Sequence, residues 1–125
     1  MILGLGTDLI EIARVGASLH RFGERFMTRV FTPGEIEYCL RKRQPAESFA
    51  ARFAAKEAGA KALGTGISRG VSWKEMEVRR LPGGRPTLHW SGRAAEVALV
   101  MGVSRTSLSL THGRDAAMAV VVVED

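Results

Sequence analysis

The chain has one cysteine, few aromatic residues and no long apolar run, and each shortage closes off a line of function. Cys39 has no second thiol to pair with, so no disulfide within the chain can staple the fold, and a reducing compartment is the expectation. Cys39 and the three histidines, His20, His89 and His112, are widely separated, which argues against zinc, whose ligands cluster at close spacing. Aromatics make up 6% of the residues, and no stretch alternates basic with stacking side chains, so single-stranded nucleic acid is not the expected partner. No segment is long and apolar enough to span a bilayer. The first residues lack the basic flank and small-residue cleavage site of a signal peptide. These absences point to a cytoplasmic protein with no membrane partner, and they lower the expectation of a nucleic-acid one.

What is present is enough to fold. The sequence has 125 residues, the size of one domain spanning residues 1–125, and 46% of them are hydrophobic. A domain of this size buries roughly two-thirds of its unfolded surface and needs no staple. Eighteen Lys and Arg against thirteen Asp and Glu give a net charge of +5. The charge suits an acidic partner, whether nucleic acid, a phosphorylated small molecule or an acidic protein, and does not choose among them.

Ile2–Ile10 reads as a strand with two unlike faces. Leu3, Leu5, Thr7 and Leu9 lie on one side; Gly4, Gly6 and Asp8 lie on the other, where the glycines leave room for something to approach the carboxylate. Arg14 to about Val30 reads as one helix, or two joined near Gly23. Val15, Leu19, Phe22, Phe26 and Val30 form its apolar stripe, and Arg14, Ser18, Arg21, Arg25 and Arg29 form the stripe beside it. A row of arginines with no acid between them repels itself unless an acidic surface docks there. Thr32, Pro33 and Glu35 carry the signature of a capped helix start. The alanine-rich stretch that begins at Gln44 predicts the strongest helix, stopped by Gly64.

"TGISRG" then reads as a loop, and its glycines need no ligand to explain them. Val71–Leu81 and Pro86–Trp90 read as a hairpin around "PGGR". Gly92–Met101 reads as a short helix. Arg105–Thr111 and Ala116–Val123 read as a second antiparallel pair joined by "HGRD". The expected fold class is α+β, with helices packed on a mostly antiparallel sheet.

Two residues of the alanine-rich helix stand out. Glu57 and Lys61 lie one turn apart, next to alanines too small to crowd them. Taken alone they read as an ordinary i,i+4 ion pair on a solvated face, worth a few tenths of a kcal/mol. The functional alternative is a carboxylate for a metal and an ammonium for a phosphate. Carboxylates without thiolates suit a hard cation such as Mg²⁺, which takes one or two of them and completes its shell with phosphate and water. By local environment Asp8 and Glu57 are the best-placed pair. His112 ends a strand on the face of Leu108 and Leu110, where a lone histidine is more often a hydrogen-bonded core residue than a ligand.

Three segments together resemble the bacterial holo-[acyl-carrier-protein] synthases of the 4′-phosphopantetheinyl transferase superfamily: "GLGTDLIEIARV" from Gly4, "RFAAKEAGAKALGTGI" from Arg52 and "SLSLTHGRDAAMAVVVVE" from Ser107. The segment "VSWKEMEVRRLPGGRPTLHWSG" is similar to that family's central hairpin, so the resemblance runs nearly the full length. It implies transfer of the 4′-phosphopantetheine arm of coenzyme A to a serine of apo-acyl carrier protein, with release of 3′,5′-ADP, in support of fatty acid biosynthesis. It implies Mg²⁺ on Asp8 and Glu57, and Lys61 against the pyrophosphate. Arg52 and His112 are then expected at coenzyme A phosphates, and the loop from Leu63 through Gly64 to Gly70 beside the nucleotide. Arg14, Arg21 and Arg25 are expected to dock the acidic carrier protein. A homotrimer with active sites between subunits is the implied assembly. For the base that deprotonates the serine, Asp8, Glu57 through a water and His112 all stay open.

Overall fold

In the computed structural model, which describes residues 1–125, the first strand β1 (Ile2–Glu11) lies against a central helix, α4 (Pro45–Ala62). The glycines of β1 explain the closeness. A Cβ on Gly6 would sit 1.8 Å from the Ala58 carbonyl oxygen, and one on Gly4 would sit 2.1 Å from that of Ala62. What approaches the room left by Gly4 and Gly6 is therefore the backbone of α4. Alanine serves the other side of the contact. Ala50, Ala51, Ala54, Ala55, Ala58, Ala60 and Ala62 are all buried, so this helix is enclosed by protein and its small side chains let neighbours come close.

Five further helical pieces surround α4. The first predicted helix is two: α1 (Ile12–Phe22) and α2 (Glu24–Val30), broken at Gly23, whose φ of +53° is left-handed. The break interrupts the apolar stripe as well. Val15 and Val30 are buried, whereas Phe22 is about half exposed. Helix α3 (Pro33–Leu40) starts on the expected capping box, with the Glu35 amide donating to the Thr32 hydroxyl and the Thr32 amide donating to the Glu35 carboxylate. A single 3₁₀ turn, Trp73–Glu75, occupies the start of what the sequence pattern predicts as strand, and α5 (Gly92–Met101) follows the hairpin.

All strand pairs are antiparallel, in two sheets. β2 (Met76–Arg80) pairs with β3 (Pro86–Trp90), while β1, β5 (Ala116–Glu124) and β4 (Arg105–His112) form the order β1-β5-β4. Register assigns the faces. Gly6, Val121 and Leu108 stand in one row, and Asp8, Ala119 and Leu110 in the next, toward α4. The opposite face carries Leu5, Val122 and Ser107, then Thr7, Val120 and Ser109, then Leu9, Met118 and Thr111. Leu5 and Leu9 are 61% and 70% exposed there. The core has two parts, one between α4, β5 and the small hairpin, the other around Phe31 and Phe49 under α1 to α3. Full burial of each of these two phenylalanines contributes about 1.5–3 kcal/mol.

Candidate active site

The packing of β1 on α4 brings Asp8 and Glu57 into one cleft of about 350 Å³, lined also by Leu9, Arg14, Ser18, Phe26 and Phe53. Lys61 does not pair with Glu57, so the i,i+4 ion pair is not formed. Its ammonium reaches across to β1, where it donates to Asp8 Oδ1 at 3.3 Å and to the Thr7 carbonyl at 3.0 Å. Asp8 is 17% exposed and Lys61 52%, so the pair is open to an incoming anion. Glu57 instead accepts a hydrogen bond at 3.1 Å from the indole Nε1 of Trp73, a contact no spacing in the sequence announces.

Two carboxylates on one cleft, with no thiolate or imidazole beside them, form a donor set for a hard cation. No group of three or more acidic, cysteine or histidine side chains gathers anywhere in the chain. Any cation held here therefore has to complete its shell with ligand oxygens and water, which is what Mg²⁺ does at phosphate sites.

A second cleft, about 530 Å³, is strongly basic. Tyr38, Lys42, Arg43, Glu47, Arg52, Arg80 and His112 line it. Arg52 is buried, donates to the Ser48 carbonyl at 3.4 Å, and stacks its guanidinium 4.1 Å from the Tyr38 ring centre. Its Nε has no hydrogen-bond partner, an uncommon cost for a buried guanidinium. Burial raises the Tyr38 pKa, but the Lys42 hydrogen bond and the charges of Arg80 and Arg52 bring it below its ordinary value. His112 lies on the inner sheet face as alternation predicts, yet it is half exposed at the strand end, 4.0 Å from Glu47, and forms an ion pair there only when protonated.

The remaining residues separate. Gly64 is not in the basic cleft; it lines a third cavity with Arg69, Arg93 and Val97, and its φ of +79° closes helix α4. Arg14 faces the Asp8–Glu57 cleft, and Arg25 lines the adjoining cavity with Ser18, Phe26 and Arg29. Arg21 lies over the Phe22 ring at 5.1 Å. None of these arginines has an acidic partner within the chain, although Gly23 divides the row between α1 and α2.

The sequence reading missed a buried ion pair next door. Lys56, one residue before Glu57, is fully buried and donates to Glu35 Oε1 at 2.7 Å, to the Met76 carbonyl at 2.8 Å and to the Trp73 carbonyl at 3.2 Å. Burial pushes its pKa below the ordinary value, opposed by the Glu35 charge. Cys39 is buried too, and burial pushes its thiol up to about 11, so it is not a nucleophile at neutral pH.

Comparison with known proteins matches this architecture. The model of the 4′-phosphopantetheinyl transferase superfamily matches residues 4–121. A holo-[acyl-carrier-protein] synthase of Koribacter versatilis is 52% identical over 125 residues, covering 100% of both chains. The crystal structure of the holo-[acyl-carrier-protein] synthase of Neisseria meningitidis superimposes with a TM-score of 0.90 at 37% identity, over 100% of each chain. That of Helicobacter pylori, in complex with coenzyme A, gives 0.85 at 33% identity, over 96% of this chain and 99% of the other. The fold and the family match thus define a phosphopantetheinyl transferase. The chain belongs to the 4′-phosphopantetheinyl transferase superfamily, among its bacterial holo-[acyl-carrier-protein] synthases. No helix is long and apolar enough to cross a membrane.

Proposed function

We propose that this enzyme transfers 4′-phosphopantetheine from coenzyme A to a serine of apo-acyl carrier protein, with Mg²⁺ held by Asp8 and Glu57, in support of fatty acid biosynthesis. The observation that carries the metal assignment is the cleft shared by Asp8 and Glu57, with Lys61 reaching Asp8 from one side. The serine oxygen forms a bond to the phosphorus that bears pantetheine. The bond from that phosphorus to the bridging oxygen breaks, and 3′,5′-ADP leaves with the electron pair. Bound Mg²⁺ supplies charge neutralisation on the pyrophosphate oxygens. Lys61 adds positive charge without occupying a metal position, being free to turn from Asp8 to a phosphate. The serine proton goes to Asp8, directly or through a water, or to Glu57 through a water, with His112 as the third acceptor.

We infer further that the site is shared between chains of a homotrimer. Two observations support this. The basic residues Arg52 and His112 line a different cleft of the chain from Asp8 and Glu57, so a ligand contacting all of them is served most directly by two subunits. The outer sheet face also presents Leu5, Leu9 and Met118 to solvent, with Leu9 directly opposite Met118, an apolar surface that a second copy would cover. Leu9→Glu is expected to yield monomers by sedimentation and to lose activity; an intact trimer would refute the assigned face. Arg14 at the rim of the Asp8–Glu57 cleft and Arg21 and Arg25 further along α1 and α2 are exposed, and an acidic carrier protein would dock on them. Arg21→Glu with Arg25→Glu is expected to raise the KM for carrier protein about tenfold and that for coenzyme A little; equal increases would count against this docking surface.

The deciding experiment is mass spectrometry of apo-acyl carrier protein incubated with coenzyme A. The phosphopantetheine mass increment is expected only with Mg²⁺. Asp8→Asn and Glu57→Gln are expected to lower turnover at least about 100-fold without unfolding the chain. Full turnover in either variant, or in the absence of a divalent cation, would overturn the metal assignment.

A further inference from the structure

We propose that Trp73 is a positioning residue that orients the Glu57 carboxylate through its indole N–H, a role that rests on the reading of Glu57 as a metal ligand. Glu57 makes one side-chain hydrogen bond in the chain, from Trp73 Nε1 to Oε1 at 3.1 Å, which leaves Oε2 for a cation. An indole is a donor only, so it fixes the carboxylate without competing for the metal.

Trp73 is itself held from several sides. Its carbonyl accepts from Lys56 Nζ at 3.2 Å, and that ammonium is clamped by Glu35 at 2.7 Å. Glu35 Oε2 in turn accepts from the Val78 amide at 2.8 Å, which ties the buried pair to β2. The 3₁₀ turn that carries Trp73 is capped at both ends of a box: the Ser72 amide donates to Glu75 Oε1, and Glu75 also accepts from the amides of Arg93 and Ala94 at the start of α5. The ring packs against Phe53, with centroids 6.2 Å apart, and the Arg29 guanidinium lies 5.9 Å from its centre. The indole therefore has little freedom to turn, and a carboxylate tied to it inherits that order. Groups hydrogen-bonded to metal ligands orient them in this way, and their loss typically weakens metal affinity or activity 10–100-fold. The Arg29 contact adds a route by which a partner docked on α2 touches the same indole.

The test is Mn²⁺ binding, read from the electron paramagnetic resonance of free Mn²⁺, with coenzyme A present. Trp73→Phe removes the N–H and keeps a packed ring. It is expected to weaken Mn²⁺ binding about tenfold, with Tm lowered by no more than a few degrees. Trp90→Phe is the control, because the Trp90 indole donates to Thr106 at 2.9 Å, outside the cleft; it should leave the affinity unchanged. Glu57→Gln separates the two proposals. Unaltered Mn²⁺ affinity in Trp73→Phe, with loss in Glu57→Gln, retires Trp73 and leaves the metal reading standing. Unaltered affinity in Glu57→Gln retires the metal reading itself. Should Trp73→Phe unfold, Trp90→Phe carries the question alone, since Trp73 is then the one tryptophan. Its indole ¹H–¹⁵N resonance is expected to move when Mg²⁺ is added with coenzyme A, and a resonance that stays in place overturns the proposal.

Discussion

Helix α4 carries two lysines five residues apart, Lys56 and Lys61, and they have opposite lives. Lys56 is sealed, its ammonium divided among Glu35 and two backbone carbonyls. Lys61 is 52% exposed and rests on a carboxylate at 3.3 Å, a longer contact than the 2.7 Å of the buried pair. Each is formally one ion pair between a helix and another element. The difference is solvent. A buried pair is kept because separating its partners leaves a charge without water, whereas an exposed pair can be exchanged for another anion at little cost. The first holds α3, α4 and β2 together; the second can be given up to a phosphate.

Substitutions at the two positions should therefore fail in different ways. The largest effect is expected from Lys56→Met, which strands Glu35 in the core and should destabilise the fold by about 3–5 kcal/mol. Urea unfolding measures it, and a loss below about 1 kcal/mol would break the distinction between the pairs. Next comes Lys61→Met. It should change stability by no more than about 1 kcal/mol while slowing transfer about 100-fold. Full activity with a large stability loss would reverse the comparison.

The smallest effect is expected at Glu77, an extension of the sealed network. Burial alone would raise its pKa, but the Thr32 hydroxyl and Arg79 hydrogen bonds hold it below the ordinary 4.5. Its contribution is thus fully present above pH 4.5 and is lost as pH falls through the lower folded value. Glu77→Gln should flatten the acid limb of the stability–pH curve, measured as Tm from pH 5 downward; an unchanged slope would remove Glu77 from the acid response.

Much of the framework was legible in the chain. The capped start at Thr32, Pro33 and Glu35, the hairpin around "PGGR" and the alternation of β4 all depend on neighbours within a few residues, and all are found. The misreadings share a cause. "VSWKE" looked like strand because of its apolar residues, yet Ser72 and Glu75 are a cap and its partner three residues on, and that box sets the 3₁₀ turn. Glu57 and Lys61 stood at ion-pair spacing, but each found a partner from a distant segment, Trp73 and Asp8. Lys56 gave no sign of burial, since a lysine among alanines is ordinarily solvated; only the packing of α3 and β2 over its side of α4 put it in the core.

The local pattern alone determined which segments become helix or strand, which face of β1 carries the glycines and Asp8, and which residue types are available for a hard cation and phosphates. Those are properties of spacing, caps and side-chain chemistry within a turn or two. Tertiary structure decided the rest. The glycines of β1 admit the backbone of α4, and that contact sets Asp8 beside Lys61 and Asp8 and Glu57 on one cleft. It also turned one of two neighbouring lysines inward and the other out. Such choices rest on contacts between residues 17 to 54 positions apart, and packing supplies the energy that selects them.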